Sequence, residues 1–182
     1  MPDIVEIIKE QHQKVDALLE QAASEENDQL AILQEIAKML LPHSEAEEDF
    51  VYPTIRAKAA ETGEEVRDGV EEHHQIEEML RNLLDGSPDD PGWDGTLAAI
   101  TGELRHHVEE EEQDLLPVLA DRLSDAEREE MGQRFLAATT GGLPAEEHPA
   151  TRQELYEKAK EQDIPGRSSM TKDELAKAVG EG

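Results

Sequence analysis

The sequence predicts an all-α protein: an up-down-up-down four-helix bundle with a short fifth helix and a small C-terminal helical module. Only 3% of the 182 residues are aromatic and 34% are charged, a composition that disfavours sheets built from aromatic and β-branched strands. Apolar residues recur at helical spacing in four long segments joined by short connections. Such segments pack most economically as an antiparallel bundle.

The first two helices follow directly from this periodicity. Helix one starts at Ile4, with Asp3 as its N-cap, and ends near Glu26. Helix two covers about residues 30–60. Because proline removes a backbone donor, Pro42 is expected to kink helix two.

Two more long helices and a short one complete the predicted bundle. Helix three covers roughly residues 64–84, and the turn-rich segment GSPDDPG at 86–92 ends it. Helix four runs from about residue 93 to residue 123. Ser124 and Glu127 have the spacing of a capping box, which predicts the start of a shorter fifth helix.

Composition divides the chain into two parts. Residues 1–139 are predicted to form the bundle, residues 140–150 a linker, and residues 151–182 a module of helix, extended loop and helix. Up to residue 150 the chain has 38 acidic and 11 basic residues, whereas the remainder has 7 and 6. The anionic character therefore belongs to the bundle.

Charge and the lack of cysteine limit what the protein binds. A formal net charge of −28 disfavours nucleic acid and anionic membranes and favours cations. Without cysteine, disulfides, thiolate metal sites and thiol catalysis are excluded, so His and carboxylates are the strong metal ligands. The N-terminus has no signal-peptide pattern and no stretch approaches the length of an apolar membrane span, so we expect a cytoplasmic protein.

A His-x-x-x-Glu motif followed by a proline occurs in both helix two and helix four. The two copies, 64 residues apart, are His43, Glu47 and Pro53, and His107, Glu111 and Pro117. At about 100° per residue, each His–Glu pair falls near the apolar face of its helix. Buried carboxylates are costly unless they are paired or bound to metal. Two inward pairs therefore predict a metal site inside the bundle.

Helices one and three each add a histidine to this set. His12 precedes apolar residues at plus three, six and seven, and His73 repeats that spacing better than His74, which stays the alternative. Glu77, four residues after His73, also faces the apolar stripe and is a candidate seventh ligand. The other histidines are expected to be solvent-exposed: His74, His106 and His148.

The size of this ligand set predicts two neighbouring metal ions. Four histidines with two or three carboxylates exceed one octahedral shell, and carboxylates can bridge a pair of ions. Calcium and magnesium prefer mainly oxygen ligands, and catalytic zinc usually needs only three protein ligands. Iron is therefore favoured, with manganese as the alternative.

These residues resemble the hemerythrin-like, or HHE cation-binding, family. The resemblance covers about residues 4–123 and depends on six residues in order: His12, His43, Glu47, His73, His107 and Glu111. It implies a non-haem di-iron centre within a four-helix bundle. It also implies that Glu47 and Glu111 bridge the two iron ions together with an oxo or hydroxo group, and that the four histidines are terminal ligands.

The resemblance also indicates the chemistry to expect. Oxygen-carrying hemerythrins have a histidine where this chain has Glu77, and an aspartate where it has Glu112, with Glu111 as the better-phased alternative. A more anionic ligand set favours ferric iron and disfavours reversible oxygen carriage. The expected function is reaction with or binding of dioxygen, peroxide or nitric oxide, above all peroxide breakdown or an oxidative-stress or iron response, in a pocket walled by Leu40 and Leu104.

Two other functions stay open at this point. A non-enzymatic iron- or oxygen-responsive sensor would use metal binding to stabilise the bundle and the C-terminal module to recruit a partner. A ferritin-like di-iron carboxylate protein would use Glu-x-x-His motifs. The pairs with that spacing point away from the apolar faces: Glu71 with His74, and Glu103 with His106.

Residues 151–179 resemble the helix, extended loop, helix module of the Rho-termination-factor N-terminal and SAP-like group. Some such modules bind nucleic acid, and this segment carries five basic residues that can form a patch: Lys158, Lys160, Arg167, Lys172 and Lys177. Its near-neutral charge beside a strongly acidic bundle predicts weak nucleic-acid binding. Binding of a protein partner or self-association is at least as well supported.

Overall fold

The computed structural model describes residues 3–24, 28–140, 152–162, 164, 167 and 170–180. The chain separates into two compact units, residues 1–142 and residues 143–182, and each is described by itself. Among the described residues, no helix is both long enough and apolar enough to cross a bilayer. Most of the predicted linker, residues 141–150, lies outside the described part of the chain.

The first unit is a bundle of long antiparallel helices, which confirms the predicted fold class. Its helices are α1 (Ile4–Ala22), α2 (Gln29–Ala46), α3 (Tyr52–Lys58), α4 (Gly63–Asp85), α5 (Trp93–Glu110), α6 (Leu116–Arg122) and α7 (Asp125–Thr139). α2 and α3 correspond to the predicted helix two, and α5 and α6 to helix four. α1 ends before the predicted position near Glu26, which itself lies outside the described residues.

Side-chain caps start two of the helices where the sequence predicts them. The Asp3 carboxylate accepts a hydrogen bond of 2.9 Å from the Val5 backbone N–H at the start of α1. Ser124 and Glu127 form a reciprocal capping box at the start of α7. Because the first N–H groups of a helix have no partner within it, such caps define where the helix begins.

The two helices that carry the repeated motif each contain a π-helical segment. The segments, Glu47–Val51 and Glu111–Leu115, begin at the motif carboxylate and end just before Pro53 and Pro117. Because a proline has no N–H to give to the carbonyl four residues earlier, the wider π turn accommodates the missing hydrogen bond. Pro42 lies inside α2, which continues through it to Ala46, and the kink expected there stays a prediction.

The bundle core consists of two apolar clusters with a polar layer between them. The first cluster includes Ile8, Phe50, Val51, Tyr52, Leu115 and Phe135, and the second includes Val15, Leu40, Ile76, Leu80, Leu97 and Leu104. On α1, His12 lies between Ile8 of the first cluster and Val15 of the second. The two clusters therefore separate the polar layer from solvent at both of its ends.

The short helix α7 covers the side of the bundle formed by α1 and α2. Its fully buried Phe135 contacts the His43 ring edge-on, with centroids 5.2 Å apart, and lies 6.3 Å from the Phe50 ring. The fifth helix thus closes the polar layer at the His43 side. The sequence predicts the helix but not this contact.

The second unit contains two helices, α8 (Arg152–Glu161) and α9 (Lys172–Val179), in its described part. They share a small apolar cluster in which Leu155, Tyr156, Ala159 and Leu175 are buried. Arg167 lies partly buried, with its guanidinium 5.9 Å from the centroid of the Tyr156 ring.

Candidate metal centre

Six of the seven sequence-predicted ligands meet in the polar layer. α1, α2, α4 and α5 each contribute one imidazole, and each π-helical segment contributes one carboxylate: His12, His43, His73, His107, Glu47 and Glu111. All six are buried, with exposed fractions between 0% for Glu47 and 6% for His12. Such burial is costly for ionisable groups unless they are paired or bind a metal.

The four imidazoles form two close pairs. Nε2 of His12 lies 3.2 Å from Nε2 of His43, and Nε2 of His73 lies 3.0 Å from Nε2 of His107. Two ligands at right angles around one ion, each about 2.1 Å from it, are about 3.0 Å apart. Each pair therefore has the spacing of adjacent ligands on one octahedral ion.

The Glu47 carboxylate lies between the two imidazole pairs, and the Glu111 carboxylate lies beside the first pair. Glu47 Oε1 is 3.0 Å from His43 Nε2 and its Oε2 is 3.4 Å from His73 Nε2, while Glu111 Oε2 is 3.3 Å from His12 Nε2. Despite these distances, none of the four carboxylate oxygens accepts a hydrogen bond of good geometry. Buried polar atoms are rarely left this way. Orphaned oxygens beside paired imidazoles fit bound cations better than a network of hydrogen bonds.

Two overlapping groups of donors result. The first comprises His12, His43, Glu47 and Glu111 and the second Glu47, His73 and His107, with the donor atoms of each group within 4.8 Å of one another. Glu47 belongs to both groups. Mixed nitrogen and oxygen donors suit a transition-metal ion. The described part of the chain therefore contains a buried His and Glu cluster that can hold metal.

A second ring of polar side chains orients the imidazoles. The Nδ1 atoms of His12, His43, His73 and His107 lie, in that order, 3.0 Å from Glu112, 2.8 Å from Gln11, 3.0 Å from Glu48 and 2.8 Å from Glu72. An Nδ1–H that donates to an oxygen leaves Nε2 available to bind metal and makes it more basic. Three of the four acceptors are carboxylates, so this ring adds negative charge to the centre.

The supporting ring has approximate two-fold symmetry and departs from it at one position. Relative to the histidine on its own helix, Gln11 on α1 occupies the position that Glu72 occupies on α4. A neutral amide therefore supports His43, and a carboxylate supports His107. Because a carboxylate acceptor raises imidazole basicity more than an amide does, the two halves of the centre differ electronically.

The pKa values show that the centre attracts positive charge. Burial lowers the pKa of His12, but neighbouring carboxylates, Glu111 foremost, raise it to about 9. Burial also lowers the pKa of His73, yet its carboxylate neighbours, Glu47 foremost, raise it to about 10. Burial in turn raises the pKa of Glu47, but the adjacent imidazoles, His43 foremost, hold it well below its usual value. The negative charge that holds protons on His12 and His73 would equally favour bound metal cations.

Tyr52 lies against the centre on the side of the first cluster. Its ring stacks on His73 with centroids 5.6 Å apart, and its hydroxyl oxygen is 3.5 Å from His73 Nε2. Burial, followed by the charges of Glu111 and Glu47, raises the pKa of Tyr52 well above its usual value, so the phenol stays protonated. Gly69 makes room for the hydroxyl, because a Cβ there would lie 3.2 Å from the Tyr52 oxygen.

A small cavity borders all four imidazoles. Its volume is about 10 Å³, and the predicted pocket residues Leu40 and Leu104 lie in its wall. This is the room of about one water molecule. A groove of about 620 Å³ on the outer surface shares His12, Leu104 and Val108 with the cavity. These three side chains therefore stand between the cavity and solvent.

Glu77 is buried but belongs to neither donor group. Chain direction gives the reason. The carboxylates four residues after His43 and His107 lie toward the first cluster, whereas α4 runs the opposite way and Glu77 follows His73 toward Leu80 of the second cluster. Helical spacing identifies the face of a helix but not the end of the layer to which a side chain points. A ligand role for Glu77 stays a prediction.

The sequence reasoning missed most of the supporting ring. The predicted site does not include Gln11, Glu48 or Glu72, and the resemblance compares Glu112 with a ligand. Each of the four is adjacent in sequence to a ligand, and Glu48 and Glu112 repeat at the same 64-residue offset. That offset is the signal that identifies them. Of the histidines predicted to be exposed, His106 is 57% exposed, His74 is half-buried, and His148 lies outside the described residues.

Comparison with known proteins places this arrangement in a family. Residues 3–119 match the hemerythrin HHE cation binding domain. A DNA nickase of Nostoc sp. is 27% identical over 139 residues, 75% of this chain and 39% of that protein. An uncharacterised hemerythrin-like protein of Schizosaccharomyces pombe is 30% identical over 112 residues, 61% of this chain and 55% of that protein. An uncharacterised protein of Mycobacterium tuberculosis is 29% identical over 96 residues, 52% of this chain and 57% of that protein.

The chain spans between about two fifths and three fifths of the length of these relatives. No solved structure matches it significantly. The family match extends over more than half of the chain and includes all six residues of the buried donor groups. The chain therefore belongs to the hemerythrin HHE cation-binding family.

Proposed function

We propose that this protein is a non-haem di-iron protein that breaks down peroxide, with dioxygen or nitric oxide as further small ligands. The observation that carries the proposal is the arrangement of the imidazoles in two pairs, each with the spacing of adjacent ligands, which share the buried Glu47 carboxylate beside a small cavity. The residues that would hold the ions are His12 and His43 for one, His73 and His107 for the other, and Glu47 and Glu111 between them.

The cavity favours a very small ligand. A volume of about 10 Å³, walled by buried leucines, excludes sugars, nucleotides and other organic substrates. All four imidazoles border it, so a molecule of one or two heavy atoms would lie within reach of both ion positions. Dioxygen, hydrogen peroxide and nitric oxide have this size.

The supporting ring favours peroxide breakdown over reversible oxygen carriage. Glu48, Glu72 and Glu112 accept from three of the imidazoles and make their Nε2 atoms more basic. More basic ligands stabilise ferric over ferrous iron, and oxygen carriage requires a stable ferrous state. The sequence predicts that Glu77 makes the centre more anionic. In the structure, three other carboxylates add this negative charge.

Peroxide breakdown oxidises one peroxide to dioxygen and reduces another to two water molecules. Two iron ions would supply the storage of two electrons between these half-reactions. The two protons released when the first peroxide is oxidised are consumed when the second is reduced to water. Tyr52 keeps its own proton 3.5 Å from His73 Nε2, so its hydroxyl can donate a hydrogen bond on that side of the centre. The buried leucines around the cavity exclude bulk water.

We expect about two iron ions per chain after anaerobic loading with ferrous iron, because the donor set exceeds the needs of one ion. Elemental analysis checks the stoichiometry, and near-ultraviolet absorption of the oxidised protein would report an oxo-bridged ferric pair. One zinc ion per chain, or no bound metal after loading, would contradict the proposal.

Catalytic turnover separates an enzyme from a sensor. We expect the iron-loaded protein to evolve dioxygen from many equivalents of hydrogen peroxide, measured with an oxygen electrode. A sensor would react with a single equivalent or only change its stability and partner binding. The same measurement on metal-free protein is the control. A single-equivalent reaction would replace the enzymatic proposal by the sensor.

We expect Leu104→Ala to admit larger peroxides, because Leu104 separates the cavity from the outer groove. The variant should react with tert-butyl hydroperoxide, which the parent excludes, at a stability cost of about 2–5 kcal/mol for truncating a buried leucine. Leu97→Ala is the matched control, since Leu97 is also buried on α5 but does not line the cavity. Equal reactivity of both variants with the bulky peroxide would show that general loosening, not the wall, is responsible.

A further inference from the structure

We propose that Glu72, His106 and Glu110 form an outer cation site that receives a divalent transition metal on its way to the buried centre. The three side chains come from α4 and α5, and one ligand atom of each lies within 4.8 Å of the others. The notion of a metal in transit rests on the proposed di-metal function, whereas the existence of the outer site does not.

The donor chemistry suits a divalent transition metal. His106 Nε2 lies 3.4 Å from Glu110 Oε1, and their spacing is the same four residues as in the inner motif. The sequence HHVEEE at 106–111 thus contains two His-x-x-x-Glu pairs shifted by one residue. The pair of His107 and Glu111 faces inward, and the pair of His106 and Glu110 faces outward. One imidazole and two carboxylates make a three-ligand set that solvent can complete, as for zinc, ferrous iron or manganese.

The outer pair is a specific feature of α5. The corresponding positions of the first motif copy, 64 residues earlier, are Pro42 and Ala46, which cannot ligate. Glu72, the third member, has its carboxylate held by the His107 Nδ1 at 2.8 Å and its side chain only 18% exposed. The third ligand is therefore already oriented, unlike the carboxylates of an ordinary solvated acidic surface.

Glu72 links the outer site to the inner one. Its carboxylate contacts an imidazole of the buried centre and also contributes to the outer donor group. The inner ligands are almost fully buried, whereas His106 and Glu110 are 57% and 51% exposed. A cation entering from solvent would first meet His106 and Glu110. Only the Glu72 carboxylate would then separate it from His107.

The outer groove between α1 and α5 is a less favourable entrance for a cation. Lys9 and Arg105 line it, and their charges oppose cation entry. Lys9 is also 3.5 Å from Glu112, and Arg105 is 2.6 Å from Asp16, so two of the acidic groups there are paired.

Zinc binding tests whether the outer site exists. We expect the parent to bind one more zinc ion per chain than His106→Gln and Glu110→Gln, measured by equilibrium dialysis and elemental analysis. Glu103→Gln is the matched control, with the same charge change at an exposed position on α5 outside the donor group. Because the readout is a difference of one ion, it stays valid if the inner centre holds one ion instead of two. Equal binding by parent and variants would overturn the site.

The rate of metal uptake tests the role in transit. We expect His106→Gln and Glu110→Gln to take up ferrous iron more slowly by about tenfold, within the range of electrostatic effects on association, and to reach the same final inner iron content and near-ultraviolet spectrum. Glu72 is left unchanged because it also supports His107. Parent-like uptake in both variants, or an equal slowing in Glu103→Gln, would overturn the transit role. Failure of the parent itself to take up about two inner iron ions would instead count against the proposed di-iron function.

Discussion

His43→Ala and His107→Ala will each remove at least one of the two inner metal ions and lower the stability of the bundle. Each imidazole belongs to one close pair, and His43 Nε2 also lies 3.0 Å from the fully buried Glu47. Removing an imidazole leaves the buried Glu47 carboxylate without one of its partners, which costs about 3–5 kcal/mol, and the stabilisation by bound metal is lost in addition. We expect the thermal midpoint to fall by about 10 °C or more.

Elemental analysis and thermal unfolding measure this outcome, and His106→Ala is the matched control. His106 is adjacent to His107 on α5 but is exposed, so its removal should leave the inner iron content unchanged and alter stability by less than about 0.5 kcal/mol. An equal loss of inner iron in the His106 variant would mean that the inward face of α5 has been assigned wrongly.

The metal-free protein will become less stable as the pH rises from about 7 to 10, whereas the metal-loaded protein will not. The pKa values of His12 and His73 are raised to about 9 and about 10, above their ordinary value of 6.5. Their contribution is therefore complete below pH 6.5 and disappears as the pH rises through the raised values. At about 1.4 kcal/mol for each pKa unit, the two shifts together correspond to a loss of up to about 8 kcal/mol.

At acidic pH the metal-free protein loses stability as the pH falls, not as it rises. The pKa of Glu47 is held below its usual value of 4.5, so its contribution is present above that pH and is lost as the pH falls through the lowered value. The metal-free protein should therefore be most stable between about pH 4.5 and 6.5. Denaturant unfolding of metal-free and metal-loaded protein across the range measures both limits. Parallel curves for the two forms would show that the centre does not control the pH dependence.

Local spacing allowed much of the fold and of the ligand set to be predicted. The periodicity of apolar residues depends only on helix geometry, so it located the helices and the inward faces that carry His43 with Glu47 and His107 with Glu111. The same phase argument favoured His73 over His74, and His73 is the one that meets the other imidazoles. The prolines after each motif were visible as a repeat, but the π-helical segments they accompany were not predicted.

Contacts between helices could not be predicted in the same way. A helical wheel shows which face Glu77 occupies, but only the direction of α4 in the bundle puts it on the opposite side of the layer from Glu47 and Glu111. Phe135 closes the layer because α7 folds back over α1 and α2, and no spacing within α7 indicates that contact.

By itself, the sequence determined the all-α bundle, the inward His and Glu residues and their preference for a cation, because these depend on periodicity, charge and residue type within single helices. Only the tertiary structure decided which imidazoles pair, that Glu47 belongs to both donor groups, and that Glu72 contacts His107 while sharing an outer donor group with His106. The physical reason is distance along the chain: each of these contacts joins helices that are far apart in sequence, and its geometry depends on how the bundle packs.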